Sequence, residues 1–263
     1  MRTGLLLLLA GWLAAQSQPA PDMGIPYLDH APQIDGDLSD WKAAAFHDGL
    51  WDIYRVQHSP WYDPARNRLT VHDSSDLPDS DLLARYYLAW DTCALYLGAE
   101  VLDNINDVTD PHHAPRRWYY KDAIAWFVEI PRDTVAETFG EGDHGFAFVA
   151  DSSYPAYGAW WRHGTADSSY LEAALPAATY RLRWVPQPGY PAAYTLEARI
   201  DLCDLLGDHP RVGDPWGLMI VHCDPDGGAY GGHLLLYGQD DRDSTWHTVR
   251  LTGPQRPLVR RDR

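Results

Sequence analysis

Residues 123–130 read AIAWFVEI, an almost unbroken apolar run. A run of this kind is the pattern of a central strand buried on both faces, so the chain has to build a sheet that is covered on each side. Around it the hydrophobic period is two. Residues 85–90 place Tyr86, Leu88 and Trp90 on one face and Tyr87 and Ala89 on the other. Residues 91–94 then supply a turn, and residues 95–101 return as the second arm of a hairpin. Further short strands are predicted over 146–150, 180–185, 194–200, 218–222, 233–237 and 248–251, separated by turn signals at Gly189, Pro191, 213–215 and 226–228.

Nine or ten strands at short spacing predict an all-β fold, an antiparallel β-sandwich of jelly-roll or immunoglobulin-like kind rather than βαβ units. Helix is confined to short turns at 38–44, where Asp37 or Ser39 caps the N-terminus, and at 202–206. The predicted organisation is a leader over 1–20, one domain over 21–253 and a frayed tail over 254–263. Two long loops interrupt the strands: 51–83, which reads as an insertion rich in Asp, Ser, Pro and His, and 103–122. Loops of that length in a compact domain usually bind something or move.

Met1 and Arg2 form a positive n-region, 5–15 an apolar h-region and 14–20 a small-residue stretch suited to signal peptidase, so a secreted or periplasmic protein is expected. No later run approaches the ~18 apolar residues of a spanning helix, and membrane insertion is not expected. Lys plus Arg number 21 against 37 Asp plus Glu, a formal charge of -16. That balance disfavours nucleic acid and anionic membrane as partners and suits neutral glycans and divalent cations. Lys42 and Lys121 are the only lysines. Of the three cysteines, Cys93, Cys203 and Cys223, at least one is unpaired in an oxidising compartment. Cys203 and Cys223 flank the last core strands and could pair; buried thiols are the alternative, because spacing fixes no connectivity.

Five segments follow one another along the chain: IDGDLSDW at 34–41, ARYYLAWDTCALYLGAEVLDN at 84–104, KDAIAWFVEI at 121–130, YTLEARIDLCDL at 194–205 and WGLMIVHCDPDGG at 216–228. In order and spacing they resemble the family 9 carbohydrate-binding modules and their DOMON-like relatives. The resemblance implies an exported β-sandwich that clamps a terminal sugar between two Trp rings with structural calcium nearby. Such modules are usually appended to a glycoside hydrolase, so a hydrolase partner in polysaccharide breakdown is implied. Relatives of similar topology bind b-type haem, which makes an electron-transfer domain the main alternative, and a protein-interaction module of the cell envelope a further one.

A sugar presents C–H bonds on one face and hydroxyls around its rim, so its receptor combines flat aromatic surface with polar groups. The chain holds 12 Trp and 16 Tyr. Trp41, Trp90, Trp126 and Trp216 lie in or beside strands and are assigned to the core. Trp118, within RRWYYK at 116–121, joins a ring to the cationic donors Arg117 and Lys121. Trp246 falls near the place of the implied aromatic clamp, with Asp243 and Asp240 as acceptors of sugar hydroxyls. Trp118 and Trp246 are therefore expected to face solvent and stack on the ligand. Trp160 and Trp161 offer a second platform, with at most one of them buried, because neighbours in a strand point to opposite sides. For calcium, which takes about six to eight oxygens, Asp103, Asn104, Asp107 and Asp110 form one cluster and Asp224 with Asp226 another.

Hydrolase and nucleotide-hydrolysis signatures (GxSxG, HExxH, a P-loop) are missing from the sequence. Glu100, Glu129, Glu172 and Glu197 are the carboxylates from which a glycosidase pair, about 5–9.5 Å apart, would be drawn. Glu129 and Glu197 sit on predicted core strands, where either points outward or anchors a loop, and a non-catalytic module is expected. An axial pair for haem would use Met219 with His222 or another His, but Met219 lies in an apolar run that reads as core.

Overall fold

The computed structural model describes residues 23–41, 45–47, 62–63, 68–69, 82–105, 117–133, 140–150, 157–165, 168–207, 209–224, 233–236 and 243–253. The predicted leader, tail and most of the 51–83 insertion lie outside them. The first strands are β1 (Met23–Pro26), β2 (Ala45–His47), β3 (Tyr62–Asp63), β4 (Arg68–Leu69), β5 (Leu82–Trp90) and β6 (Ala94–Asp103). Then come β7 (Ala123–Glu129), β8 (Asp143–Val149), β9 (Tyr157–Thr165), β10 (Ser168–Ala174) and β11 (Tyr180–Trp184). The last are β12 (Tyr194–Asp201), β13 (Pro215–Cys223), β14 (His233–Leu236) and β15 (His247–Thr252).

Two sheets carry the fold. The larger runs β1-β15-β13-β7-β8-β9-β10, with β14 pairing the second half of the β13 edge that β15 leaves open. The smaller runs β11-β12-β6-β5-β2, and β3 with β4 makes a separate two-stranded ladder. Within both sheets neighbours are antiparallel except β1 with β15.

The apolar run that opened the sequence reading becomes β7, in the middle of the larger sheet and buried at every position. Its alternate residues serve two cores. Ile124, Trp126 and Val128 enter the core between the sheets, with Tyr86, Leu88 and Trp90 of β5, as the period of two requires. Ala123, Ala125 and Phe127 point the other way, into a second apolar cluster on the outer face of the larger sheet. β13 divides likewise, with Trp216, Leu218 and Ile220 inward and Met219, Val221 and Cys223 outward.

A third cluster lies on the outer face of the smaller sheet, where Trp41 and Leu28 cover Tyr96, Ala89 and Ala94. The opening motif makes that cover, and Glu197 holds it. The Glu197 carboxylate, on β12 and 0% exposed, accepts from the Trp41 indole at 2.6 Å, from the Asp35 amide at 2.9 Å and from the Gly36 amide. Gly36 takes a φ of +88°, and a Cβ there would stand 2.8 Å from that of Arg183. Only glycine meets both demands.

Both predicted helical turns form, the second over the expected residues 202–206 and the first over 38–40 of the described residues. Leu38–Asp40 is a 3-10 turn with the Asp37 side chain accepting from the Ser39 amide at 3.0 Å, and Leu202–Leu206 is a π turn capped by Asp201 and closed by Gly207 at φ +68°. The β9–β10 hairpin was absent from the strands predicted above. Cysteine pairing also differs from expectation. The bond joins Cys93 to Cys203, 110 residues apart, and Cys223 stays a buried thiol. Register explains it: β12 pairs β6 with Asp201 opposite Ala94, so the turn before β6 and the turn after β12 meet at one end of these two strands of the smaller sheet, whereas Cys223 belongs to the larger.

Candidate functional site

Across the outer face of the larger sheet a row of small side chains lies in register, Ala125 opposite Ala147 and Ala147 opposite Ala159. The next row is Phe127, Gly145 and Trp161. A Cβ on Gly145 would lie 2.9 Å from the Phe127 ring, so glycine is what lets that ring lie flat across the sheet. Large rings fold over this shallow floor. Trp118, in the 3-10 turn Trp118–Tyr120, meets Phe127, Trp161 and Tyr119 with ring centroids 6.2, 5.6 and 5.7 Å away. Trp246, just after the 3-10 turn Asp243–Thr245, meets Phe127 from the other side at 5.7 Å.

The two tryptophans singled out from sequence thus flank one phenylalanine on one sheet face. Their exposure is another matter. Trp118 is 2% and Trp246 4% exposed, so the expectation of solvent-facing indoles fails for both. The floor of alanines leaves room for indoles to sink onto it, and burying a large aromatic surface there is favoured by about 25 cal/mol per Å². Rings that remain half-buried beside them are Tyr119 and Tyr120, 5.0 Å apart and tilted by 47°. Arg117, immediately before the turn, is exposed. Lys121, immediately after it, is 3% exposed and turns inward with Asp122.

Trp160 and Trp161 face opposite sides as predicted, but both are buried, one in each core. The platform expectation at Trp160 is corrected accordingly: its indole N–H donates to His144 Nδ1 at 3.2 Å and the Arg162 guanidinium lies 4.4 Å over its ring. Burial holds the His144 pKa down to about 4, with the Arg162 charge adding to the effect. Asp243 is 3% exposed and its side chain accepts from the Ser244 amide, so the expected hydroxyl acceptor is directed inward.

Among the described residues, the acidic group around Asp103 includes two carboxylates that were not expected with it. Asp103, at the end of β6, comes together with Asp122 before β7 and Asp224 after β13, with one oxygen of each within 4.8 Å of the others and all three buried. Asn104 is half-buried beside them, whereas Asp107, Asp110, Asp226 and Asp240 lie outside the described residues. Asp103 uses one oxygen to accept from the Ile105 amide at 2.8 Å. Next to the trio the Tyr194 hydroxyl is buried with no hydrogen-bond partner, and its ionisation is suppressed first by burial and then by the Asp122 and Asp103 charges. Sequence reading had no means of joining Asp122 to Asp103 and Asp224, since the strands that align them are far apart along the chain.

His222 points between the sheets, where its Nδ1 shares a hydrogen bond of 2.8 Å with the Tyr86 hydroxyl, and burial holds its pKa down to about 3. Met219 points to the opposite face of the same strand, so these two side chains cannot ligate one haem iron from its two sides. Glu129 and Glu197, two of the four carboxylates named above, stand on different sheets, and each is tied to its own loop. A cavity of about 220 Å³ opens elsewhere, on the smaller sheet, among Arg85, Glu100, Gln187 and Thr195. No helix among the described residues is long and apolar enough to cross a membrane.

Comparison with known proteins places this geometry. The family model described as carbohydrate family 9 binding domain-like matches residues 57–254. Among solved structures, the chain is similar to a carbohydrate-binding module of family 9 from Caldicellulosiruptor kristjanssonii in complex with glucose, at a TM-score of 0.57 and 16% identity, covering 91% of this chain and 100% of that one. A structure of a family 9 module from the same organism in complex with cellotriose matches at a TM-score of 0.52 and 17% identity, covering 92% of this chain and 100% of that one. Curated proteins gave no match.

Proposed function

This chain belongs to the carbohydrate family 9 binding domain-like proteins, and from that membership we propose that it binds carbohydrate without acting on it chemically. The observation that carries the reading is the convergence of family and fold: a family match over most of the chain, and a sandwich whose similar structures hold glucose and cellotriose. The ligand face we assign is the edge of the outer aromatic cluster. There Tyr119 and Tyr120 present half-buried rings for the C–H face of a sugar, and exposed Arg117 donates to its hydroxyls. Trp118 packs edge-on against Tyr119 and fixes the angle of that ring, while Trp246 braces Phe127 in the same cluster. The leader-like stretch at 1–20 supports export, and an exported binder fits a role beside a glycoside hydrolase or an envelope protein in polysaccharide use.

Calcium fits one site in this arrangement. Asp103, Asp122 and Asp224 offer only hard oxygen ligands, and a buried trio of carboxylates needs a counter-charge. A calcium ion there would supply that charge and tie the ends of β6 and β13 to the start of β7. The haem alternative finds no support in the Met219 and His222 pair, for the reason of strand geometry given above.

Titration calorimetry with glucose and cello-oligosaccharides tests the assignment. Tyr120→Ala and Arg117→Ala are each expected to weaken binding by about 1–2 kcal/mol, roughly 5- to 30-fold. Full affinity in both variants would remove the ligand from this edge.

A further inference from the structure

The outer face of the smaller sheet, on the side of the sandwich away from the aromatic cluster, carries a polar row across four strands. Arg85 stands opposite Glu100, Glu100 opposite Thr195, and Thr195 opposite Arg183. These positions alternate with the core residues Tyr86, Val101, Leu196 and Tyr194, so their side chains leave the sheet outward. The opening motif covers the neighbouring row. Trp41 and Leu38 lie over Gly98, where a Cβ would stand 3.3 and 3.2 Å from them, and the Gly36 carbonyl accepts from the Thr195 hydroxyl at 2.6 Å. Beside that contact lies the cavity of about 220 Å³ lined by Arg85, Glu100, Leu102, Val185, Gln187 and Thr195.

One wall of the cavity is the turn between β11 and β12. Gln187 and Tyr190 exchange backbone hydrogen bonds of 3.0 and 2.9 Å around Pro188 and Gly189, which holds Gln187 in place. Glu100 is half-buried, and its Oε2 accepts from the Tyr87 hydroxyl at 2.7 Å. That bond orients the carboxylate, and among the described residues its Oε1 has no hydrogen-bond partner. Thr195 gives its proton to Gly36, so towards a ligand its oxygen accepts. The Gln187 amide both donates and accepts, and the Arg85 guanidinium brings N–H donors. Val185 and Leu102 add apolar surface. One carboxylate and one guanidinium line the cavity, which favours neither a cation nor an anion. At roughly 30 Å³ per water, the volume is that of about seven waters, room for one sugar ring and not for a chain of them.

We propose that this cavity is a second carbohydrate subsite, one that takes a single neutral sugar residue, so that the chain holds glycan on two opposite faces. The inference rests on the carbohydrate reading above. Adjacent hydroxyls of a pyranose meet Glu100 Oε1 and the Arg85 guanidinium, a paired acceptor and donor, while Gln187 serves a further hydroxyl. The C–H face of the ring lies on Val185 and Leu102. Tyr194 turns its ring into the core, so the described lining offers no aromatic platform, and this subsite is the weaker of the two. The two faces look in opposite directions with both sheets between them, so one short oligosaccharide does not fill both. Two glycan strands do, and a chain occupied on both faces ties them together.

The test is proton–nitrogen correlation NMR of the full chain, titrated with glucose and with cellotriose. Two sets of shifts are expected, one at Tyr119 and Tyr120 and a second at the Gln187 side-chain amide and the Glu100 and Thr195 backbone amides, the second saturating at higher glucose. Tyr120→Ala weakens the first set and leaves the second. Glu100→Gln weakens the second about 10-fold, the worth of one hydrogen bond to a charged group, and leaves the first. Gln187→Ala, a change at an exposed turn residue that the fold accommodates, weakens the second in the same way. Shifts confined to the aromatic edge would overturn the proposal, as would a second set unaltered in both Glu100→Gln and Gln187→Ala. Either result leaves the carbohydrate reading standing, whereas shifts on neither face reject that reading and the second subsite together.

Discussion

Replacing Glu197 by alanine probes the joint between the opening motif and the smaller sheet. The carboxylate is 0% exposed and accepts three hydrogen bonds, from the Trp41 indole and from the Asp35 and Gly36 amides. Removal strands three donors under the cover of the Trp41 cluster. At about 1–3 kcal/mol for each unsatisfied buried donor, the gross loss is roughly 3–9 kcal/mol. Part of it is offset, because burial raises the Glu197 pKa despite the three donors, so ionising this group inside the fold carries a cost that alanine avoids. A net loss of about 3–5 kcal/mol is expected. Glu197→Gln keeps one acceptor oxygen and should lose less. Urea unfolding followed by near-ultraviolet circular dichroism measures both, and the alanine variant should also change the Trp41 environment before global unfolding. A loss below about 1 kcal/mol in Glu197→Ala would show that the opening segment is not anchored through this residue.

Three further outcomes follow from the same structure. His144 and His222 are held neutral by the fold, with pKa values near 4 and near 3, so each binds its proton more readily in the unfolded chain. Their contribution is complete above about pH 6.5 and falls as pH drops towards 4, by about 1.4 kcal/mol per unit for each. Asp143, with its raised pKa near 7, works in the opposite sense over the same window, so His222→Gln against wild type isolates the histidine part: the variant should show a flatter acid-side decline, and an unchanged slope would contradict the assignment. Reduction of Cys93–Cys203 opens a loop of 110 residues and should lower stability by up to about 4–5 kcal/mol, read as a drop in melting temperature with reductant. Under non-reducing, native conditions Cys223 should resist thiol reagents, since it is fully buried, and rapid labelling would contradict its placement.

Strands with an unbroken period of two were legible from sequence because that period reports directly which face each side chain takes. The central run 123–130 and the 85–101 hairpin show this, down to Tyr86, Leu88 and Trp90 sharing one face. β9 was not legible as a strand, since Gly158, His163 and Gly164 interrupt its alternation, and the adjacent Trp160 and Trp161 hid the fact that both faces are covered. For the site, sequence could group Trp118 and Trp246 only by resemblance. Their burial depends on the alanine row of Ala125, Ala147 and Ala159, which exists only once three strands are in register. The carboxylate groups divide on the same ground. Asp103 was identified, but its partners Asp122 and Asp224 arrive through pairing across the fold, while Glu129 opposite Asp143 needs the start of β8 three residues earlier than the apolar pattern indicates.

The central claim is that this chain recognises carbohydrate. Its most direct test is titration of the folded chain against a panel that includes glucose and cellotriose, with and without chelator. Saturable binding of at least one glycan, with a dissociation constant in the micromolar to millimolar range, is the predicted result. A folded chain that gives no binding to any member of a broad glycan panel would contradict it.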